Sequence, residues 1–177
     1  IDVHIKFKLL PQTLFMTINL IDRFLCFEQA TRQQLQLVGI TALMIVCKYE
    51  EIYPPLLKDY VAVCDNAYTK EQILEMEGRI IRAVNFEVGR TSCYAFLEQA
   101  QLKVKLEPRA HVFVKYILEN ALFDLNSLRY PNLVLVAGAI FLVNKIFKRE
   151  NWRLSFEETT GVSEAAAKLC AKDLFAT

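Results

Sequence analysis

The stretch LQLVGITALMIVCKYEEIYPP, residues 35–55, decides the fold of this chain because it joins a long apolar run to a cluster of charges. Between Leu35 and Cys47 only two side chains, Gln36 and Thr41, are polar, so the segment has no polar face. A helix of this kind is typical of the centre of a bundle. A lysine and two glutamates follow before a double proline, so the central helix is predicted to end at a charged edge of the core.

The composition is that of a globular protein, with 177 residues of which 54% are hydrophobic and 23% charged. With 21 basic and 20 acidic residues the net charge is only +1, so no nucleic-acid partner is expected. The apolar segments 35–47 and 133–143 are shorter than the roughly 20 residues that span a bilayer, so no membrane partner is expected.

The five cysteines lie far apart and mostly inside apolar runs, without a CxxC pair. This usage is typical of reduced core cysteines in an intracellular protein. The chain begins with isoleucine and has a helical pattern from its first residues, so we expect a fragment of a longer protein.

The pattern of the whole chain predicts an all-α protein. Only 5 glycines and 5 prolines occur, and no segment alternates polar and apolar residues as a strand would. Ten predicted helices make two bundles of five, centred on the two apolar segments. The break falls at FEVGR, residues 86–90, giving domains of residues 1–88 and 89–177. The predicted helices are 1–8, 11–27, 31–49, 54–64, 69–85, 91–104, 108–124, 131–148, 155–160 and 163–176.

Several helix starts carry sequence signals. A hydroxyl followed three residues later by glutamine or glutamate forms a capping box, which satisfies backbone donors at the helix start. A proline suits the first turn of a helix, where its missing N–H is not needed. The boxes are Thr31 with Gln34, Thr69 with Gln72 and Ser155 with Glu158, and the prolines are Pro11, Pro54 and Pro108.

A weak repeat relates the two halves. Gly39 and Gly138 lie inside the two apolar segments, and the same separation relates Tyr53 to Trp152. Identity between the halves is otherwise poor, so the match indicates either a duplicated helical plan or coincidence.

The residues after the central helix are open to more than one interpretation. Ile52 and Tyr53 are predicted to pack the corner before the double proline starts the next helix. Glu50 and Glu51 could each hold a partner or simply keep the helix end soluble.

Enzymatic function is not expected. The only histidines are His4 and His111, one in each half, and the chain has no zinc-protease motif, nucleophile elbow or glycine-rich phosphate loop. Adjacent carboxylates such as Glu50 and Glu51 point about 100° apart on a helix, which does not suit shared acid–base work. A binding module without cofactor or metal is therefore predicted.

The spacing places a candidate binding surface on two helices. Ile45 and Tyr49 are i, i+4 neighbours with Lys48 close to the same face, and Glu77 and Ile81 are i, i+4 neighbours on the helix 69–85. If the helices pack side by side, the lysine could donate to the carbonyls of a partner helix and the glutamate could accept from its N–H groups. Alternatively, Lys48 only favours the helix dipole by about 0.3–1 kcal/mol, and Glu77 is simply solvated.

Four segments, in this order and spacing, resemble the cyclin box of mitotic cyclins: INLIDRFL (18–25), LQLVG (35–39), CKYEEIYPP (47–55) and YTKEQILEMEGRIIRAVNF (68–86). YPNLVLVAGAIF (130–141) is similar to the C-terminal cyclin fold. KYEE together with RAVNFEVGR looks more like the B-type than the A-type subfamily.

The resemblance implies two tandem five-helix cyclin folds with the first helix of the N-terminal fold truncated. It also implies a non-catalytic regulatory subunit, in nucleus and cytoplasm, that binds and activates a cyclin-dependent kinase at G2/M. Residues matching Lys48 and Glu77 anchor the kinase's PSTAIRE-type helix in that family. The matching apolar contacts are Ile45, Tyr49, Ile81, Phe86 and Val88.

The family's second site binds substrates and inhibitors that carry Arg-x-Leu motifs. Leu35 and Gln36 match part of it, and Asp2 matches an acidic residue that faces the motif's arginine. The MRAIL-type segment and the tryptophan of the first helix have no counterpart here, so this docking groove is expected to be incomplete.

Two other functions remain as alternatives to kinase activation. One is a cyclin-fold module of the general transcription-factor type, which the near-neutral charge disfavours. The other is a helical scaffold without any kinase role.

Overall fold

The computed structural model describes residues 1–104, 106–148, 157 and 160–176. These residues form helices and loops without a strand, as predicted, and none of the helices is long and apolar enough to span a membrane. The chain divides into two compact units, Ile1–Thr91 and Ser92–Thr177. The helices are α1 (Asp2–Lys6), α2 (Pro11–Phe27), α3 (Leu35–Glu50), α4 (Leu57–Val63), α5 (Lys70–Ala83), α6 (Cys93–Val104), α7 (Pro108–Ala121), a 3₁₀-helix (Leu125–Arg129), α8 (Asn132–Ile146) and α9 (Glu164–Ala176).

The centre of the first unit is α3, which is buried without interruption from Ile40 to Cys47. One side of it supplies Ile45 and Val46 to a cluster with α2 and α5. Another side supplies Leu43 and Cys47 to a second cluster that contains Tyr60 of α4. Because α3 serves both clusters, it needs apolar residues on every face, which is the pattern seen in its sequence.

Helix α2 packs along α3 through Met16, Leu20 and Phe24, which are one turn apart and lie in the first of these clusters. Burying a side chain of this size contributes about 1.5–3 kcal/mol. These contacts fix α2 and α3 relative to each other within the unit.

Helix α5 packs against α3 from a different direction through Met76 and Ile80. Its start is defined by a capping box in which the Thr69 N–H donates to Gln72 Oε1 at 2.8 Å and the Gln72 N–H donates to Thr69 Oγ1 at 3.3 Å. The box sets where α5 begins and therefore which residues face α3.

The centre of the second unit is α8, buried from Leu135 to Asn144, with α9 packed closely along it. At Gly138 a Cβ atom would lie 2.7 Å from Cys170 Sγ and 3.2 Å from the Ala171 backbone nitrogen. The absence of a side chain at Gly138 is therefore what allows α9 to approach α8.

The two glycines of the weak repeat have different roles. A Cβ atom at Gly39 would meet no atom within 4 Å, whereas one at Gly138 would overlap α9. Trp152, the other member of the repeat, lies outside the described residues. The equal spacing of the glycines therefore does not reflect an equal packing requirement.

Three of the predicted helix starts are confirmed. Pro11 and Pro108 begin α2 and α7, and the Thr69–Gln72 box caps α5. The Ser155–Glu158 box and most of the predicted helix 155–160 lie outside the described residues.

Two predicted starts are wrong. Gln34 Oε1 accepts from the Thr31 N–H at 3.1 Å, but these residues form a turn, and α3 begins only at Leu35. Pro54 precedes α4, which begins at Leu57, where the Asp59 carboxylate accepts from the Leu56 N–H at 2.8 Å. A later polar capping interaction therefore determines where α4 starts.

The corner after α3 is also not packed as predicted. Ile52 and Tyr53 are both exposed, Tyr53 at 91%. Because residues before a proline favour an extended backbone, the segment between α3 and Leu57 is not helical, and these two side chains lie in solvent.

The cysteines are all free thiols, with Cys26 exposed and the other four buried. Burial raises the pKa of Cys47 to about 11 and the pKa of Cys93 and Cys170 to about 12. These three thiols therefore stay protonated and unreactive at neutral pH.

Candidate partner-binding surface

Lys48 and Glu77 form an ion pair in which Lys48 Nζ donates to Glu77 Oε1 at 2.7 Å. Lys48 lies in the last turn of α3 and Glu77 in the middle of α5, which packs beside it. The lysine side chain is 50% exposed and the glutamate side chain 17%. The pair thus sits at the edge of the core with its cation accessible.

This pair adds little to the stability of the free chain. A partly exposed ion pair contributes at most about 1 kcal/mol. A lysine ammonium has three donors and a carboxylate accepts several hydrogen bonds, whereas the Lys48–Glu77 bond uses one donor. Both groups therefore retain capacity for polar groups of another molecule.

The apolar residues predicted to join this surface differ in accessibility. Tyr49 is 61% exposed and Phe86 74%, whereas Ile81 and Val88 are half-buried against the core. Ile45, which is also predicted to contact a partner, is only 4% exposed and packs in the core cluster with residues of α2 and α5.

The loop that follows α5 presents Phe86 through an uncommon backbone conformation. The Asn85 N–H donates to Arg82 O at 3.0 Å and the Phe86 N–H donates to Ile81 O at 2.9 Å, which is the Schellman ending of a helix. Asn85 and Phe86 both have a positive φ, 52° and 60°. Asparagine tolerates this region, but for a bulky residue it costs about 1–3 kcal/mol.

A guanidinium group from α2 holds this loop in place. Arg23 Nη1 donates to Glu87 O at 2.5 Å, and Arg23 Nη2 lies 3.5 Å from Val84 O. Arg90 donates to the Glu87 carboxylate at 2.8 Å and holds the pKa of that group below its usual value. The backbone on both sides of Phe86 is thereby tied to α2.

The two glutamates after Lys48 and Tyr49 have different surroundings. Glu51 Oε1 accepts from the Leu10 N–H at 2.8 Å and from Thr13 Oγ1 at 2.6 Å. Leu10 is the N-cap residue of α2, so Glu51 joins the end of α3 to the start of α2. Glu50 is half-buried at the end of α3. Glu51 thus has a structural role, which is neither of the two alternatives that the sequence left open.

Replacing Glu51 by alanine should lower the free energy of unfolding by about 1–2 kcal/mol, because two donors at the start of α2 lose their acceptor. Urea denaturation followed by circular dichroism measures the change. Glu50→Ala is the matched control and should change the stability by less than about 0.5 kcal/mol. Equal losses for the two variants would contradict the structural role of Glu51.

The three residues predicted for motif docking differ in their surroundings. A cavity of about 310 Å³ lies among α1 to α4, and Gln36 forms part of its wall. Gln36 Oε1 accepts from the Tyr68 hydroxyl at 3.3 Å. Leu35 and Asp2 are exposed and do not line this cavity. Of the three predicted residues, Gln36 is thus the one that lines this cavity.

Sequence reasoning overlooked Arg23. It lies in INLIDRFL between Leu20 and Phe24, both of which are buried. A single cation so close to core-facing positions indicates a specific acceptor elsewhere in the fold. That acceptor is backbone in the loop after α5, far along the chain.

Neither histidine suggests a catalytic site. His4 Nε2 lies 2.9 Å from Leu10 O in the first unit, and His111 Nε2 lies 3.2 Å from Glu98 Oε1 in the second. In the part of the chain that the structure describes, no three His, Cys, Asp or Glu side chains are placed to hold a metal ion.

Two family models match the chain: the cyclin N-terminal domain over residues 1–89 and the cyclin C-terminal domain over residues 91–177. The chain is 39% identical to G2/mitotic-specific cyclin-B2 of Homo sapiens over 164 residues, which is 93% of this chain and 41% of that protein. It is 36% identical to cyclin-B2-2 of Oryza sativa subsp. indica over 173 residues, 97% of this chain and 41% of that protein. The chain thus spans about two fifths of the length of these relatives.

A solved structure, a viral cyclin from herpesvirus saimiri, matches 98% of this chain and 79% of its own with a TM-score of 0.84. At 17% identity this match shows a shared fold. The chain belongs to the cyclin family, and the prediction of tandem cyclin folds is confirmed. Within the family its similarity is to mitotic cyclins of the B type, as KYEE and RAVNFEVGR predicted.

Proposed function

We propose that this chain is the kinase-binding part of a B-type mitotic cyclin, a non-catalytic regulatory subunit that binds and activates a cyclin-dependent kinase at G2/M. The observation that carries the proposal is the accessible Lys48–Glu77 pair next to the exposed aromatic residues Tyr49 and Phe86. The similarity to G2/mitotic-specific cyclins supports it.

The surface suits a helical partner. Lys48 would donate to carbonyl groups at the partner's PSTAIRE-type helix, and Glu77 would accept from N–H groups of the same segment. Tyr49 and Phe86 would cover its apolar side, with Ile81 and Val88 filling the space near the core. Buried aromatic side chains flanked by charged anchors are the usual source of most of the binding energy in an interface.

Activation would be a population shift. A surface that fits the kinase helix only in its active position stabilises the state in which a glutamate of that helix pairs with the ATP-orienting lysine. The free energy for the shift comes from the difference in contacts between the two kinase states. The cyclin chain itself contributes no reacting group.

Recruitment of partners with Arg-x-Leu motifs is a second part of the proposal and concerns a full-length protein whose first helix is complete. The cavity bordered by Gln36 would take the motif's leucine. Leu35 and Asp2, which are exposed, would contact other parts of the motif. The proposed location is nucleus and cytoplasm, where kinase and substrates would be met.

The test is a pulldown with a purified cyclin-dependent kinase followed by a histone-type phosphorylation assay. The wild type should bind and activate the kinase, and the double variant Lys48→Ala with Glu77→Ala should do neither while keeping its circular dichroism spectrum. The matched control removes a comparable surface ion pair, Lys168 with Glu164, whose charged atoms lie 3.5 Å apart, and should leave activation unchanged.

Other outcomes of the same experiment would favour other functions. A folded wild type that neither binds nor activates any such kinase would refute the proposed function. Binding that survives the double substitution would point to a scaffold that uses a different surface. Salt-sensitive binding to duplex DNA would support the transcription-factor alternative.

A further inference from the structure

Tyr49 is packed against a glycine in the loop after α5. If Gly89 carried a Cβ atom, that atom would lie 2.1 Å from the Tyr49 hydroxyl oxygen, 2.6 Å from Cζ and 3.2 Å from Cε1. Carbon atoms in contact are normally about 3.5–4.0 Å apart. The phenol ring can therefore occupy its observed position only if residue 89 has no side chain.

The backbone of the loop gives no other reason for this glycine. Gly89 does not have a positive φ, in contrast to Gly161 at 68°. A residue with a side chain could adopt the same backbone conformation. What Gly89 provides is space for the Tyr49 ring.

Gly89 belongs to the loop that also carries Phe86 and Val88. Arg23 holds this loop against α2, and Glu87 is paired with Arg90 inside it. The contact between Tyr49 and Gly89 joins the same loop to the end of α3. The two most exposed aromatic groups of the candidate surface are thus placed relative to each other through Gly89.

We propose that Gly89 is a positioning residue for partner recognition: it holds the Tyr49 ring in the orientation that contacts the kinase helix and so raises affinity. This inference rests on the proposed function. Gly89 itself needs no contact with the partner, since it acts by fixing a side chain before binding, which lowers the cost of ordering that side chain in the complex.

Replacing Gly89 by alanine should separate stability from binding. The ring of Tyr49 is mostly exposed, so it can rotate away from the new methyl group with little loss of packing. Alanine also reduces the freedom of the unfolded chain, which tends to stabilise the fold. We therefore expect an unchanged or slightly higher Tm together with an affinity for the kinase about tenfold lower, because the ring must be reordered on binding.

The experiment uses the full chain and three readouts: Tm, the Kd for a purified cyclin-dependent kinase, and the ¹⁹F signal of 3-fluorotyrosine placed at position 49. Gly89→Ala should shift the fluorine signal and weaken binding. Gly39→Ala is the matched control, because a Cβ atom there meets nothing within 4 Å, and it should change neither the signal nor the Kd. In a Tyr49→Ala background, Gly89→Ala should have no further effect on the Kd.

Each contrary result has a distinct meaning. An unshifted fluorine signal, an unchanged Kd in Gly89→Ala, or a loss of affinity that persists in the Tyr49→Ala background would overturn the role of Gly89 and leave the proposed function intact. A folded wild type that binds no kinase would refute the proposed function and the affinity effect with it. A Tm lowered in parallel with affinity would identify Gly89 as merely structural.

Discussion

Replacing Lys48 by alanine should weaken kinase binding by about 2–5 kcal/mol, because a desolvated anchor is lost and its partner groups are left unpaired. The same substitution should lower the free energy of unfolding of the free chain by at most about 1 kcal/mol, since the Lys48 side chain of the ion pair is 50% exposed. Titration calorimetry with the kinase and urea denaturation of the free chain measure the two losses. A loss of stability as large as the loss of affinity would contradict a recognition role.

A charge swap separates the two roles of the pair further. The double variant Lys48→Glu with Glu77→Lys can re-form an ion pair between α3 and α5, where Lys48 Nζ and Glu77 Oε1 now lie 2.7 Å apart, so stability should return to nearly that of the wild type. Binding should stay weak, because an acceptor at position 48 would face the partner's carbonyl groups and a donor at position 77 would face its N–H groups. Recovery of binding in the swapped variant would mean that the kinase needs only the intramolecular pair.

Replacing Gly138 by alanine should lower the stability of the second unit by about 1–3 kcal/mol, as overpacking of a core does. The new methyl group would meet Cys170 at 2.7–2.8 Å and the Ala171 backbone nitrogen at 3.2 Å. Because one obstacle is backbone, α9 as a whole must move away from α8. Differential scanning calorimetry resolves the effect if the two units unfold at different temperatures.

Gly39→Ala is the control for that substitution, since Gly39 occupies the corresponding place in α3. No atom would lie within 4 Å of its Cβ, and alanine is favoured over glycine inside a helix by about 0.8–1 kcal/mol. The first unit should therefore become slightly more stable. A loss of stability similar to that of Gly138→Ala would contradict the packing described for the two glycines.

The features of this fold that could be predicted from sequence are those set by local pattern. The central helices α3 and α8 follow from segments without a polar face, and the start of α5 follows from Thr69 and Gln72. Pro11 likewise marks the start of α2. Each signal lies within the element that it determines, so no knowledge of tertiary contacts is needed.

The features that escaped prediction depend on residues distant in sequence. Glu51 accepts from the N-cap residue of α2, which lies 41 positions earlier, and Arg23 binds a carbonyl group 64 positions later. Helix α4 begins after the predicted Pro54 because the Asp59 carboxylate caps it by accepting from the Leu56 N–H. Such pairings exist only after the helices have packed.

The candidate surface could be predicted only in part, because helical spacing shows which residues share a face but not how the packed chain surrounds them. Lys48 and Glu77 could be paired because helical spacing places both on faces that meet when α3 and α5 pack. The burial of Ile45 could not be predicted, because spacing assigns it to the same face as Tyr49 but does not show how deep that face lies. Gly89 lies in FEVGR, the predicted break between the domains, but its contact with Tyr49 has no local signal in the sequence.

Phe86 combines an unfavourable backbone conformation with an exposed aromatic ring. Its left-handed backbone works against folding, and its ring gains little by burial because it is 74% exposed. A glycine in this place would relieve the backbone and sacrifice almost no packing. In the isolated chain the aromatic ring at position 86 therefore has a backbone cost that its burial does not offset, which supports the proposal that a partner covers it.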